Sequence, residues 1–269
     1  ALYAQGSFPG YGMIAAPGGI LLQKQVAAAA DTLFSPQKAT LVKSSFEVIQ
    51  KARSLQLIDC LVNSLPCGHR VRVLHDFFHN TAFLDIETDG MSPTAPITCI
   101  SVLLNGNMTT FVRGQNLADF LELWKKSSVI VTFNGKKFDI PRIARTFHFS
   151  TIPAHIDLMD EAAHFGLRGG LKKVASSLGF QWRDDSCLNG KDAISLFRKY
   201  ASSKNPELLS KLISYNQDDV SALVLLYQKL LQRSLENTIF ATPESCESHD
   251  QQTNPHAYHS MIPVKKVSY

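Results

Sequence analysis

Residues 81–90, TAFLDIETDG, constrain this chain more than any other stretch. The apolar run Ala82, Phe83, Leu84 leads directly into Asp85-Ile86-Glu87, and Asp89-Gly90 then turns the chain. Side chains alternate across a β-strand, so Asp85 and Glu87 share one face while Leu84 and Ile86 share the other. Two carboxylates side by side at the end of a buried strand repel each other, and burying them is costly unless a cation joins them. Hard divalent cations such as Mg²⁺ and Mn²⁺ take oxygen ligands of this kind. Taken alone, the segment is either half of a metal site or an acidic strand end entering a hairpin.

A chain of 269 residues is long enough for one sizeable core with extensions. Hydrophobic residues make up 45% and charged residues 19%, which fits a soluble globular protein. The net charge of +4 permits an anionic partner without requiring one. Cys60, Cys67, Cys99, Cys187 and Cys246 form no C-x-x-C pair, which argues against a disulfide framework or a zinc site and suits a reducing cytoplasm. Residues 1–23 carry no charge and are interrupted by glycine and proline. They have neither the basic start of a signal peptide nor the unbroken length of a membrane span, so no membrane partner is expected. The sequence opens on Ala1 rather than Met, as a processed chain or a fragment would.

Residues 1–35 read as flexible, and the spacing of Leu41, Phe46, Ile49, Leu57 and Leu61 predicts helix over residues 35–65. Strands are predicted at 97–104 and 108–112 around the hairpin signal Asn105-Gly106-Asn107. Asn116 is placed to cap a helix running to Trp124, and SVIVTF at 128–133 reads as a buried strand. Helices are expected at 139–147, 158–165, 171–178, 192–200, 207–215 and 218–231, followed by a polar tail. The division expected is an extension at 1–78, flexible then helical, a domain at 79–233 and a disordered tail at 234–269. Three strands in hairpin order, then a helix, a strand and a helical half, describe an α/β domain whose mixed β-sheet is flanked by helices. That order is similar to the ribonuclease-H-like fold.

Two further acidic sites follow. In FNGKKFDIP, residues 133–141, a strand ends, Asn134-Gly135 turns the chain and Asp139 opens a helix. Asp139 is either that helix's N-cap or an acid delivered beside the Asp85 strand. In YNQDDV, residues 215–220, Tyr215 and Asp219 lie one helical turn apart and share a face. Asp218 and Asp219 either complement the dipole of an entering helix or add to a cluster.

The three sites, in this order, resemble the DEDD-type 3′–5′ exonucleases of the ribonuclease-H-like superfamily. Their D-x-E, N-x₃-F-D and Y-x₃-D motifs correspond to Asp85 and Glu87, to Asn134, Phe138 and Asp139, and to Tyr215 and Asp219. The histidine subclass carries its histidine where this chain has Ser214, so Tyr215 indicates the tyrosine subclass. A closer resemblance is to the bacterial YprB-like predicted exonucleases. Their L-D-I-E-T opening, Phe-containing second hairpin strand (Phe111) and G-L-K-G-G-L-K type segment match this chain, the last as residues 166–172, GLRGGLK.

This resemblance, spanning roughly residues 79–233, implies hydrolysis of phosphodiester bonds at single-stranded DNA or RNA ends with two Mg²⁺ or Mn²⁺ ions. Asp85, Glu87, Asp139 and Asp219 would hold the ions, and Tyr215 would orient the attacking water rather than act as a strong base. Lys136, Lys137 and Arg142 flank the second motif, and Arg168, Lys172 and Lys173 flank the glycine segment, so backbone phosphates would meet positive charge at both places. Asn134 either contacts the strand or stabilises its turn. Asp218 is left outside the site, and His155 and Asp157 have no assigned role. Two alternatives are a catalytically inactive nucleic-acid-binding domain of this fold and a structure-specific endonuclease.

Overall fold

The computed structural model describes residues 35–183 and 189–236 together with Asp31. Most of the expected flexible start and disordered tail, along with Cys187 and Cys246, lies outside the described residues; residues 234–236, expected to open the tail, instead continue the last helix, with Ser234 buried. Five strands form one mixed sheet: β1 (Thr81–Thr88), β2 (Ile97–Leu104), β3 (Asn107–Val112), β4 (Val129–Thr132) and β5 (Ala154–Asp157). Their spatial order is β3-β2-β1-β4-β5. The β1–β2 and β2–β3 pairs are antiparallel, whereas β4 and β5 join in parallel to β1. The hairpin at Asn105-Gly106 closes as its sequence predicts, with both residues at positive φ (49° and 76°). β5, by contrast, is not signalled by the sequence: it is four residues long and follows Pro153 in a segment with no run of strand formers.

The helices are α1 (Pro36–Ser54), α2 (Ile58–Ser64), α3 (Leu74–Phe77), α4 (Phe120–Lys126), α5 (Asp139–Phe147), α6 (Leu158–His164), α7 (Leu171–Ser177), α8 (Gly190–Ser203) and α9 (Pro206–Glu236). The helix expected over 35–65 is broken at Gln56, whose φ of 53° ends one helix and starts another. Asn116 does not cap α4. Its side chain accepts from the Val112 N–H (2.8 Å) and donates to the Thr110 carbonyl (3.3 Å), tying down the end of β3. The two helices expected at 207–215 and 218–231 are one, because Leu212, Val220, Leu223 and Leu226 form a continuous buried face without a helix breaker.

The sheet buries both faces. On one, Ala82, Leu84, Ile86, Ile100, Val102 and Ile130 pack against Phe120, Trp124 and Ile143 of α4 and α5. Phe147 and Phe149 close this cluster, Phe149 stacking on Trp124 with centroids 4.9 Å apart, so these rings are core. On the other face, Phe83, Val131 and Ile156 pack with α2, α6 and α9.

The segment before the sheet joins that second core. Ile58, Leu61, Val71 and Leu74 are buried in it. Polar bonds stitch the segment down: the Gly68 N–H donates to Glu161 Oε2 (2.7 Å), and the buried Arg72 donates through Nε to Ser234 Oγ (2.7 Å) near the end of α9. Gly68 has φ 85°, and a Cβ there would meet the His164 ring at 2.2 Å, so glycine is required. Leu61→Ala should therefore cost about 2–5 kcal/mol. Urea unfolding measures it, and a loss below about 0.5 kcal/mol, typical of a surface site, would contradict the packing.

Candidate metal centre

Strand alternation assigns Asp85 and Glu87 to the α9 side of the sheet, beyond Phe83 on the same face. Asp85 lies opposite Ser101 and Glu87 opposite Cys99 on β2, and the ladder shifts register immediately after Glu87. α9 crosses this face and supplies Asp219. One ligand oxygen from each of Asp85, Glu87 and Asp219 lies within 4.8 Å of the other two, and among the described residues no other His, Cys, Asp or Glu trio does this. The cluster sits at the carboxyl end of β1, where parallel β1 and β4 separate, the position at which open α/β sheets form their crevices.

Asp139 approaches from the opposite wall. β4 pairs with β1 only at residues 81–83, and further along the strand the Ile86 N–H donates to Asp139 Oδ1 at 3.1 Å. Asp139 is the first residue of α5, whose N-cap position is Phe138, and its carboxylate accepts from the Ile86 N–H of β1. Asp139 lines the same cleft as the other three acids without joining their 4.8 Å group.

Tyr215 and Asp219 lie in the middle of α9, too far from its N-terminus for Asp218 or Asp219 to complement the dipole. The Tyr215 hydroxyl lies beside the Asp219 carboxylate and favours its ionised form. Asp218 pairs with Arg183 (Nε to Oδ1, 2.6 Å) and does not line the cleft. Lys172 places Nζ 4.8 Å from the centre of the Tyr215 ring and lies close enough to Glu87 and Asp219 to favour their ionised forms.

These acids hold protons tightly. Burial and then the charges of Asp219, Asp139 and Glu87 push Asp85 well above the usual carboxylate range. Burial does the same to Glu87, with Asp219 and Asp139 adding to it. Asp139 and Asp219 are each pushed up to about 7, chiefly by burial. Tyr215 is raised by burial and by the three carboxylates near it, so its phenol stays protonated. Each shift expresses first the burial of an ionisable group and, at Asp85, Glu87 and Tyr215, the charge of neighbouring carboxylates as well.

The second wall is the 133–138 loop. Asp157 fastens it: its carboxylate accepts from the N–H groups of Asn134 (2.7 Å), Lys136 (3.0 Å) and Met159 (3.1 Å). His155 Nε2 bonds Thr132 Oγ1 at 2.9 Å beside it. Asn134, at φ 61°, lies on the cleft wall, and Gly135 is required by space, since a Cβ would meet Thr132 Oγ1 at 2.1 Å. The cleft encloses about 520 Å³, with Phe133, Phe138, Met159 and Leu171 as apolar walls and Gly169-Gly170 at the start of α7.

Of the expected substrate contacts, Asn134 lines this cleft and Lys172 stands beside it, whereas Lys136, Lys137 and Arg168 are exposed residues outside its lining. Arg142 is not available to phosphate. It is buried against the Phe138 ring (3.7 Å) and donates to the carbonyls of Phe138, Met91 and Ser92. Sequence reasoning overlooked Asn216, whose Nδ2 donates to Asp85 Oδ2 at 2.7 Å. Its signal was an amide placed three residues before Asp219 on an otherwise apolar face.

The donors at the cluster are all hard carboxylate oxygens, held close together and undercompensated, which fits Mg²⁺ or Mn²⁺ and not a thiophilic ion. Groups whose folded pKa is raised add stability at low pH and lose it as pH rises through that raised value. Glu161, also pushed up to about 7 by burial, acts in the same sense, while His69, lowered to about 4 by burial and then by Arg72 and His164, and His155, lowered by burial, act in the opposite one. The acids outnumber these two histidines. The metal-free protein should therefore melt at a lower temperature at about pH 8 than at about pH 5, and millimolar Mn²⁺ should recover the loss. Calorimetry checks this; equal melting at both pH values, or no response to Mn²⁺, would contradict it.

Among the described residues no helix is long and apolar enough to cross a membrane. No curated protein matches this chain. Among solved structures, a family B DNA polymerase from the hyperthermophilic archaeon Pyrobaculum calidifontis aligns at 20% identity and a TM-score of 0.45, covering 59% of this chain and 26% of the polymerase. The matched part is thus about a quarter of the polymerase's length. The family model described as the RNase_H superfamily matches residues 82–231, more than half of the chain, and includes every acid of the cleft. This chain belongs to the RNase_H superfamily.

Proposed function

We propose that this protein is a Mg²⁺- or Mn²⁺-dependent 3′–5′ exonuclease of the tyrosine DEDD subclass, similar to the YprB-like family, acting on single-stranded ends of DNA or RNA. The observation that carries the reading is the convergence of Asp85, Glu87 and Asp219 within 4.8 Å, with Asp139 and Tyr215 lining the same cleft. Membership of a superfamily made up mostly of nucleases supports it at the coarse level. The direction of digestion rests on the order and subclass of the three motifs.

The reaction transfers the terminal phosphodiester to water. The new P–O bond forms to the water oxygen, the bond to the penultimate 3′ oxygen breaks, and a nucleoside 5′-monophosphate leaves. Asp85, Glu87 and Asp219 would hold one cation, and Asp139 with Asp85 a second. Bound divalent cations neutralise charge on the phosphodiester and acidify water.

The chain's own groups do the rest. Tyr215, held protonated by burial and by neighbouring carboxylates, donates a hydrogen bond and cannot serve as the base at neutral pH. Its role is to orient the attacking water. Lys172 adds positive charge beside Tyr215 and favours the ionised forms of Glu87 and Asp219. The apolar walls Phe133, Phe138, Met159 and Leu171 offer surface to base faces rather than donors to base edges, which supports digestion without sequence preference.

A 5′-labelled oligonucleotide should shorten stepwise with Mn²⁺, and one blocked at its 3′ end should resist. Asp85→Ala should lower the rate about a thousandfold with the fold retained. Tyr215→Phe should lower it about a hundredfold. Folded wild-type protein that is inert on DNA and RNA with either metal would overturn the reading, and cleavage of circular single-stranded DNA would replace it with an endonuclease.

A further inference from the structure

We propose that Asn216 is a positioning residue that sets the rotation of the Asp85 carboxylate for cation binding, and that the Cys99 thiol sets the orientation of the Asn216 amide. The inference rests on the cation site proposed above and deepens it.

Asn216 is fully buried, on the turn of α9 between Tyr215 and Asp219. Its Nδ2 donates to Asp85 Oδ2 at 2.7 Å, and its Oδ1 accepts from the Cys99 thiol at 3.6 Å. Cys99 is equally buried, and its register partner on β1 is Glu87, so the relay runs from β2 through α9 and back to β1. The two partners allow one amide orientation. Rotating the amide by half a turn would set its carbonyl oxygen against a carboxylate oxygen and its N–H₂ against a thiol, losing one bond and adding a repulsion.

The residue type matters as much as the place. A lysine or arginine at 216 would form an ion pair with Asp85 and remove charge that a cation needs. A carboxylate there would enlarge the repulsion. The neutral amide occupies one oxygen of Asp85, restricts its rotation and adds no charge of its own to the cluster. Partners that orient a metal ligand in this way commonly change metal affinity by about 10–100-fold when removed.

Mn²⁺ titration followed by electron paramagnetic resonance tests this on the full chain. Wild type should bind, and Asn216→Leu, close to isosteric, should bind about 10–100-fold more weakly. Saturating Mn²⁺ should restore most of its activity while KM for an oligonucleotide stays unchanged, which a merely structural role would not produce. Cys99→Ser, which keeps a donor, should bind Mn²⁺ as wild type does, and Cys99→Val should bind several-fold more weakly. This pair keeps the test decisive if Asn216→Leu fails to fold. Wild-type Mn²⁺ affinity in Asn216→Leu, or in both Cys99 variants, would overturn the inference while leaving the nuclease reading intact. Wild-type protein that binds no Mn²⁺ would overturn both.

Discussion

Mutual repulsion among buried carboxylates governs this molecule. Asp85, Glu87 and Asp219 converge at the carboxyl end of the central strand, and Asp139 stands across the same cleft. Two unit charges about 4 Å apart interact by about 4 kcal/mol at the effective dielectric of a protein surface, so ordinary packing does not assemble such a group. Among the described residues, Lys172, Arg142, the Tyr215 hydroxyl, the Asn216 amide and backbone N–H groups oppose that charge. They do not offset burial, and every cleft acid holds its proton above the usual carboxylate range. A site in that condition is complementary to a hard divalent cation.

The scaffold holds these charges together through elements far apart in sequence. α9 runs across the sheet, and its buried apolar face fixes the turn that carries Tyr215, Asn216 and Asp219. On the facing wall one carboxylate, Asp157, gathers three backbone N–H groups and holds the 133–138 loop. Arg142 joins that wall to the β1–β2 turn through the carbonyls of Met91 and Ser92. Behind the site, Glu161 and Arg72 fasten the segment before β1 to α6 and α9. The position of Asp85 therefore depends on residues that span most of the described chain.

Much of this was legible in the sequence, because the signals are local. The two-residue spacing of Asp85 and Glu87 assigns them one strand face, and the four-residue spacing of Tyr215 and Asp219 assigns them one helix face. The β2–β3 hairpin announces itself through Asn105-Gly106. What was not legible depends on tertiary partners. Asp139 looks like an N-cap until the Ile86 N–H beside it is seen, and Asn116 looks like one until β3 is. β5 is too short to have a pattern of its own and exists because β4 offers an edge. Lys136, Lys137 and Arg168 flank the motifs in sequence, but an exposed side chain in a loop beside a motif need not line the cleft. Asn216 was hidden because its partners, Asp85 and Cys99, are more than a hundred residues away along the chain.

The central claim is that the carboxylate cluster exists to hold divalent cations. Anomalous diffraction from crystals soaked in Mn²⁺ tests it most directly. The account predicts a strong peak bounded by the carboxylates of Asp85, Glu87 and Asp219. Crystals that show Mn²⁺ elsewhere on the protein and none among these three side chains would contradict it.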